Sequence, residues 1–245
     1  MVMTKDGMRG VLLRAETVHS GRRIVTHTTE IGAGAVTLEV PDPPAVGTTL
    51  TLSLSFPRLV GPFGITVRVT EVRGESGPGA AATIRCDVVG ASEEGRAFLA
   101  SLAEETPRGA GSGVSPYRCL LVEDNNFIRD LFAYGMDRYG QARGAPVSLA
   151  LAGDEEQAWE MLAGSEFDMA IVDFYLPTHS GSTLIERVRA TPRLAGMPIV
   201  AISVGGVEAR EASIAAGADL FLDKPLVMRD LFTTLDLLTL REAAR

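Results

Sequence analysis

The chain has 245 residues, 46% of them hydrophobic and 22% charged, with a formal net charge of −8. That balance excludes an intrinsically disordered chain, and the length leaves room for two hydrophobic cores of ordinary size. Residues 1–108 carry 11 Lys and Arg against 12 Asp and Glu, and residues 109–245 carry 12 against 19, so neither half offers the basic face that binding to a phosphate backbone requires, and direct DNA binding is not expected.

The N-terminus MVMTKDGMRG lacks the apolar core of a secretory signal, and no stretch approaches the roughly 18 apolar residues of a membrane-spanning helix. A cytoplasmic chain without membrane contact is expected. Cys86 and Cys119 sit in apolar, strand-like runs (AATIRCDVV and RCLLV) and read as buried free thiols. His19, His27 and His179 are scattered, with no zinc-type spacing.

From the N-terminus the chain reads as six short strands, over 10–15, 22–29, 35–40, 49–55, 65–72 and 81–89, separated by Gly, Pro and Ser. The two-residue alternation of TLSLSF and ITVRVTEV predicts one apolar and one polar face, as in the wall of a small barrel or sandwich. The period then changes. In SEEGRAFLASLAEE, Ser92 is placed to cap a helix, Glu94 falls in its first turn, and Phe98, Leu99 and Leu102 follow at helical spacing.

TPRGAGSGVSP, from Thr106 to Pro116, contains three glycines, two prolines and two serines, and reads as a linker. The expected organisation is a β-barrel domain over 1–105, a linker over 106–116 and a second domain over 117–245.

In the second domain apolar β-runs alternate with amphipathic stretches. Strands are predicted over 119–122, 147–151, 169–172, 199–202 and 220–222, and helices over 126–139, 154–163, 182–190, 207–216 and 228–241. That alternation predicts an α/β doubly wound, five-stranded parallel sheet with helices on both faces. Such sheets bind ligands beyond the carboxyl ends of their strands. There the sequence places Glu123 and Asp124, then Asp173, Ser203, and Asp223 followed by Lys224 and Pro225. Several carboxylates on one rim repel each other unless a cation joins them, and all-oxygen ligands suit Mg²⁺. Mg²⁺ keeps coordination positions for phosphate oxygens, which points to phosphoryl chemistry, with Lys224 and Ser203 available to the remaining oxygens.

LLVEDNN, AIVDFYLP, PIVAIS and GADLFLDKP, in that order, give this half a clear resemblance to the receiver (CheY-like) domain of response regulators. The resemblance implies a flavodoxin-like fold with Asp173 as phospho-acceptor, Asp124 as a direct Mg²⁺ ligand, Glu123 as an outer ligand acting through water, and Tyr175 offering its backbone carbonyl to the metal. It implies that Ser203 follows the phosphoryl group inward, that Phe221 changes rotamer with it, and that Lys224 pairs with a phosphoryl oxygen across a cis Lys224–Pro225 bond. It also implies a sensor histidine kinase or phosphotransfer protein as donor and a protein output partner, so the chain is expected to be a switch rather than an enzyme. Val204, after Ser203, departs from the smaller residue usual there. Trp159 reads as packing and His179 as solvated. The helices over 207–216 and 228–241, the latter with Leu231, Phe232, Leu235 and Leu238, are the expected output surface. A silent receiver acting as an adaptor is the alternative.

TTEIGAGAVTLEV, PDPPAVGTTLTLSLSFP, ITVRVTEV and SEEGRAFLASL resemble a PilZ-type domain, a six-stranded barrel with a closing helix that often binds cyclic di-GMP and is linked to motility. The ligand motifs of that family are degenerate here: Glu30, Gly32 and Ala35 stand at the turn positions, and Arg9 and Arg14 have the wrong spacing. Arg22 and Arg23 read as a solvated edge. Cyclic di-GMP binding is therefore not expected, and a dual sensor that binds it is the alternative reading. No phosphate loop, nucleophile elbow or zinc-hydrolase signature is present.

Overall fold

The computed structural model describes residues 8, 10–56, 60–74, 82–103, 116–143, 146–226 and 231. These residues form two compact units.

The first unit is a closed antiparallel barrel with the strand order β1-β2-β3-β6-β5-β4. Its strands are β1 (Arg14–His19), β2 (Arg22–Ile31), β3 (Ala35–Val40), β4 (Thr49–Phe56), β5 (Val60–Arg73) and β6 (Ala82–Ala91). Alternation sets the faces: Leu50, Leu52, Leu54 and Phe56 of β4 and Phe63, Ile65, Val67 and Val69 of β5 are buried, while Thr49, Thr51 and Arg68 face out. Burying each such side chain stabilises the barrel by about 1.5–3 kcal/mol. Helix α1 (Glu93–Ala103) follows, capped by Ser92 Oγ, which accepts from Gly95 N at 3.1 Å, and it buries Phe98 and Leu99. The expected six-stranded barrel with a following helix is thus present, and it agrees with a PilZ-like domain.

The first strand lies further along than its apolar residues suggested. Val11, Leu12 and Leu13 are buried but precede β1, and Leu13 exchanges hydrogen bonds with Thr28, whose Oγ1 also donates to Val11 O. The hairpin turn decides the register. Ser20 and Gly21 both have positive φ (51° and 76°), and this tight turn pairs His19 with Arg22 and Arg14 with His27. Arg22 and Arg23 are both exposed, and Arg23 Nη2 pairs with Glu16 Oε2 at 2.6 Å.

The second unit is a five-stranded parallel sheet of order β11-β10-β9-β7-β8. In chain order its elements are β7 (Tyr117–Val122), α2 (Asn126–Arg143), β8 (Val147–Ala152), α3 (Glu155–Gly164), β9 (Met169–Asp173), α4 (Gly181–Ala190), β10 (Ile199–Ser203), α5 (Gly206–Ala216) and β11 (Leu220–Asp223). Every residue of β9 and β10 is buried, as expected where helices cover both faces. Helix starts follow cap chemistry: Asn125 Oδ1 accepts from Phe127 N at 2.9 Å, and Asp154 Oδ1 accepts from Gln157 N at 2.8 Å. Helix α5 ends at Gly217, whose φ of 108° favours glycine.

The expected linker residues 106–115 and the predicted helix over 228–241 lie outside the described residues, except Leu231, which is buried. Among the described residues no helix is long and apolar enough to cross a membrane. Both cysteines are free and buried.

Candidate functional site at the carboxyl rim of the parallel sheet

Parallel pairing brings the strand ends together. Ile202 lies opposite Asp173, and Ser203 opposite Asp223. The chain leaves β7 through Glu123 and Asp124, and carboxylate oxygens of Glu123, Asp124 and Asp173 lie within 4.8 Å of one another. Glu123 and Asp173 are buried and Asp124 is exposed, so the cluster opens to solvent on the Asp124 side.

Lys224 reaches into this cluster. Its Nζ donates to Glu123 Oε2 and to Asp173 Oδ2, both at 2.7 Å, from a side chain only 17% exposed. Burial pushes the Glu123 carboxyl up, and the Asp173 charge adds to this against the opposing pull of Lys224. Burial works against the Lys224 ammonium, but its hydrogen bonds to Asp173 and Glu123 together outweigh that and raise its pKa. Two backbone amides complete the pocket: Asn125 N donates to Glu123 Oε1 at 3.2 Å and Tyr175 N to Asp173 Oδ1 at 3.3 Å. The Lys224–Pro225 bond is cis.

Ser203 is fully buried, and its Oγ accepts from Gly205 N at 3.0 Å. Phe221 is 2% exposed within the core of the sheet. Tyr175 is 55% exposed, yet its ring lies so close to Gly205 that a Cβ there would stand 2.8 Å from it. Val204 is 74% exposed.

Residues 119–236 match the family model of the response regulator receiver domain. This part of the chain is a receiver domain. Among curated relatives, the transcriptional regulatory protein GltR of Pseudomonas aeruginosa is 36% identical over 124 residues, covering 50% of this chain and 48% of GltR. The phosphate regulon transcriptional regulatory protein PhoB of Rhizobium meliloti is 33% identical over 106 residues, covering 43% and 44%. The chain thus spans about half the length of these relatives. Among solved structures, a putative response regulator from Chloroflexus aurantiacus shares 26% identity at a TM-score of 0.46, covering 54% of this chain and 100% of that one. The receiver domain of the sensor histidine kinase PA1611 from Pseudomonas aeruginosa, solved with a magnesium ion in its active-site cleft, shares 24% identity at a TM-score of 0.46, covering 51% and 98%.

Three further contacts of the receiver domain have no signal in the sequence. Arg210 of α5 donates to Asp223 Oδ2 at 2.7 Å, and its Cζ stands 5.2 Å from the Phe221 ring centroid. His179 is 60% exposed as expected, but its Nδ1 is 3.3 Å from Oε2 of the buried Glu155. Trp159 packs against the core and also carries the Arg187 guanidinium 3.8 Å from its ring centroid. These pairs join residues from different elements, and no local pattern marks them.

In the barrel, Glu30 is half-buried, while Gly32 and Ala35 are buried, and Gly32 N donates to Ala35 O at 2.9 Å. Glu30 borders a cleft of about 310 Å³ that is also lined by Glu39, Glu71, Arg73 and Arg85. Arg14 pairs with Glu16 at 2.7 Å, and Arg9 lies outside the described residues.

Proposed function

We propose that the chain is a response regulator of a two-component phosphorelay that accepts a phosphoryl group on Asp173 and signals through protein–protein contacts. The observation that carries this reading is the Lys224 ammonium held 2.7 Å from both Glu123 and Asp173 at the sheet's carboxyl rim. An acceptor carboxylate must be open to a donor and able to lose a competing partner. Asp173 has the neighbours for this: Asp124 opens the cluster to solvent, and the Lys224 ammonium would exchange a carboxylate oxygen for a phosphoryl oxygen.

The donor set is entirely oxygen and fits a hard divalent cation. Glu123, Asp124, Asp173 and the Tyr175 carbonyl would hold Mg²⁺, which neutralises phosphoryl oxygens when bound. Ser203 supplies a hydroxyl to a phosphoryl oxygen, and Phe221 follows it. The added charge of about −1.5 to −2, with three strong acceptors, is enough to bias a bistable surface. A sensor histidine kinase or phosphotransfer protein is the donor.

Intact-mass spectrometry after incubation with acetyl phosphate and Mg²⁺ tests the reading. The wild type is expected to gain one phosphoryl group and Asp173→Asn none; an unmodified wild type overturns it.

The domain limits we propose are 1–105 for the barrel, 106–116 for the linker and 117–245 for the receiver. The barrel is assigned to protein contact rather than to cyclic di-GMP. Three carboxylates (Glu30, Glu39 and Glu71) face two arginines in the cleft beside the degenerate turn, and Arg73 is already paired with Glu71 at 2.6 Å. A ligand with two phosphates needs the charge-assisted donors this cleft withholds. Calorimetric titration of the full chain with cyclic di-GMP is expected to show no binding at micromolar concentration; binding there establishes the dual sensor instead.

A further inference from the structure

Glu155 opens α3 with a carboxylate side chain only 7% exposed. Among the described residues nothing donates a hydrogen bond to its Oε2. A buried carboxylate oxygen without a donor needs a physical reason, because nothing replaces the hydration it has lost. What faces it is an imidazole: His179 Nδ1 stands 3.3 Å from Oε2 without the alignment of a hydrogen bond.

The other oxygen of Glu155 faces a different group. Arg187 Nη1 of α4 lies 4.0 Å from Oε1, and the guanidinium is stacked 3.8 Å from the ring centroid of Trp159, one turn further along α3. Arg187 is thus held at Oε1 and leaves Oε2 to the His179 side. The backbone that carries His179 is fixed next to it. Tyr175 and Ser180 form a bridge, Ser180 Oγ donates to Phe174 O at 3.3 Å, and Gly181 N donates to the same carbonyl at 2.8 Å. The imidazole itself is 60% exposed, so the pair can be reached from solvent.

One imidazole nitrogen and one carboxylate oxygen are ligands that suit Zn²⁺ and its neighbours in the transition series, whereas Mg²⁺ takes oxygen alone. Two ligand atoms held about 2.0–2.1 Å from one Zn²⁺ at the tetrahedral angle stand about 3.3–3.4 Å apart. The observed separation of Glu155 Oε2 and His179 Nδ1 falls there.

We propose that Glu155 Oε2 and His179 Nδ1 form a second metal site of the receiver domain, which takes a transition-metal dication of the Zn²⁺ class and completes its coordination with water. The site shares no residue with the carboxylate cluster of Glu123, Asp124 and Asp173, and it does not rest on the reading of Asp173 as acceptor. A metal bound there ties the loop between β9 and α4 to the start of α3 and gives the orphaned oxygen its partner.

The test titrates the full chain with ZnCl₂ by calorimetry in excess MgCl₂, so that oxygen-only sites are occupied by Mg²⁺. The ring resonances of the three histidines are followed by NMR in parallel. The wild type is expected to bind Zn²⁺ at a site that His179→Ala and Glu155→Gln each weaken about ten-fold or more. The His179 ring signals should move with Zn²⁺ while those of His19 and His27 stay in place. His179→Ala trims a mostly exposed ring, so it decides the matter even where the buried change Glu155→Gln does not fold. No binding up to millimolar Zn²⁺, or binding that His179→Ala leaves unchanged, overturns the site. Weakening by His179→Ala with a folded Glu155→Gln unchanged also overturns it, since a lone surface imidazole would then be the ligand.

Discussion

A Cβ placed on Gly181 would run into the carbonyl oxygen of Asp173. Gly181 opens α4, and its N–H donates to Phe174 O at 2.8 Å, so the turn leaving Asp173 has no room for a side chain. Backbone atoms cannot rotate aside as a flexible side chain does. Gly181→Ala is expected to destabilise the receiver domain by at least about 1–3 kcal/mol, lowering its unfolding midpoint by several degrees. Gly164→Ala, where the added methyl meets nothing within 4 Å, should leave the midpoint almost unchanged. Thermal unfolding by circular dichroism compares them, and equal midpoints would contradict the close approach.

On the proposed reading, Lys224 and Mg²⁺ compete for the Glu123 and Asp173 carboxylates. Lys224→Ala is therefore expected to bind Mg²⁺ several-fold more tightly than the wild type, whereas Asp124→Ala binds it more weakly. Calorimetry with MgCl₂ reads both. Protons compete as well: with the Glu123 carboxyl held above the ordinary carboxylate range, Mg²⁺ affinity should start to fall at a higher pH than an unperturbed carboxylate would give as the solution is acidified. A loss of Mg²⁺ affinity in Lys224→Ala equal to that in Asp124→Ala would refute the competition.

Arg189 ties three segments of the receiver domain together. Its Nε donates to Gly217 O at 2.8 Å, Nη1 to Ala195 O at 3.0 Å and Met197 O at 2.7 Å, and Nη2 to Asp219 Oδ2 at 2.8 Å. Asp219 Oδ2 also accepts from Ile199 N at 2.8 Å, at the start of β10. Arg189→Ala leaves the buried Asp219 carboxylate without its guanidinium and removes a donor from three carbonyls, a change expected to cost about 3 kcal/mol. Arg189→Lys should recover only part of this, because an ammonium cannot present the planar fork that reaches all four acceptors. Urea unfolding measures both, and a loss below 1 kcal/mol for the alanine variant, as roughly expected of surface pairs, would show the network to be dispensable.

The thiols should be silent in the native protein. Burial pushes the Cys86 thiol up to about 12, with the Asp87 charge adding to it. Burial raises Cys119 further still. Reaction needs a thiolate and an approach path, and both cysteines lack them. A disulfide reagent at pH 8 is expected to titrate no thiol in the folded chain and two after unfolding in guanidinium. Rapid reaction of a native thiol would contradict the burial.

Much of the receiver site was legible along the chain. Consecutive β-α-β units deliver every strand to the same sheet in the same direction, so residues ending separate strands meet on one rim. Glu123, Asp124, Asp173, Ser203 and Lys224 could be grouped on that account alone. Periodicity likewise marked the barrel walls, because alternation in TLSLSF is a local property of an extended chain with one wet face.

What periodicity does not carry had to come from the tertiary structure. The apolar run at Val11–Leu13 resembled a strand, but the ladder begins at Arg14, because the positive-φ turn at Ser20 and Gly21 sets the register from the far end. The partners of Arg189 lie 6 to 30 residues away, and Asp223 lies 13 residues from Arg210. The need for glycine at Gly181 arises from a carbonyl eight positions earlier. A sequence determines such contacts only through the distances between packed elements, and those distances exist only once helix, strand and turn have been assembled against one another.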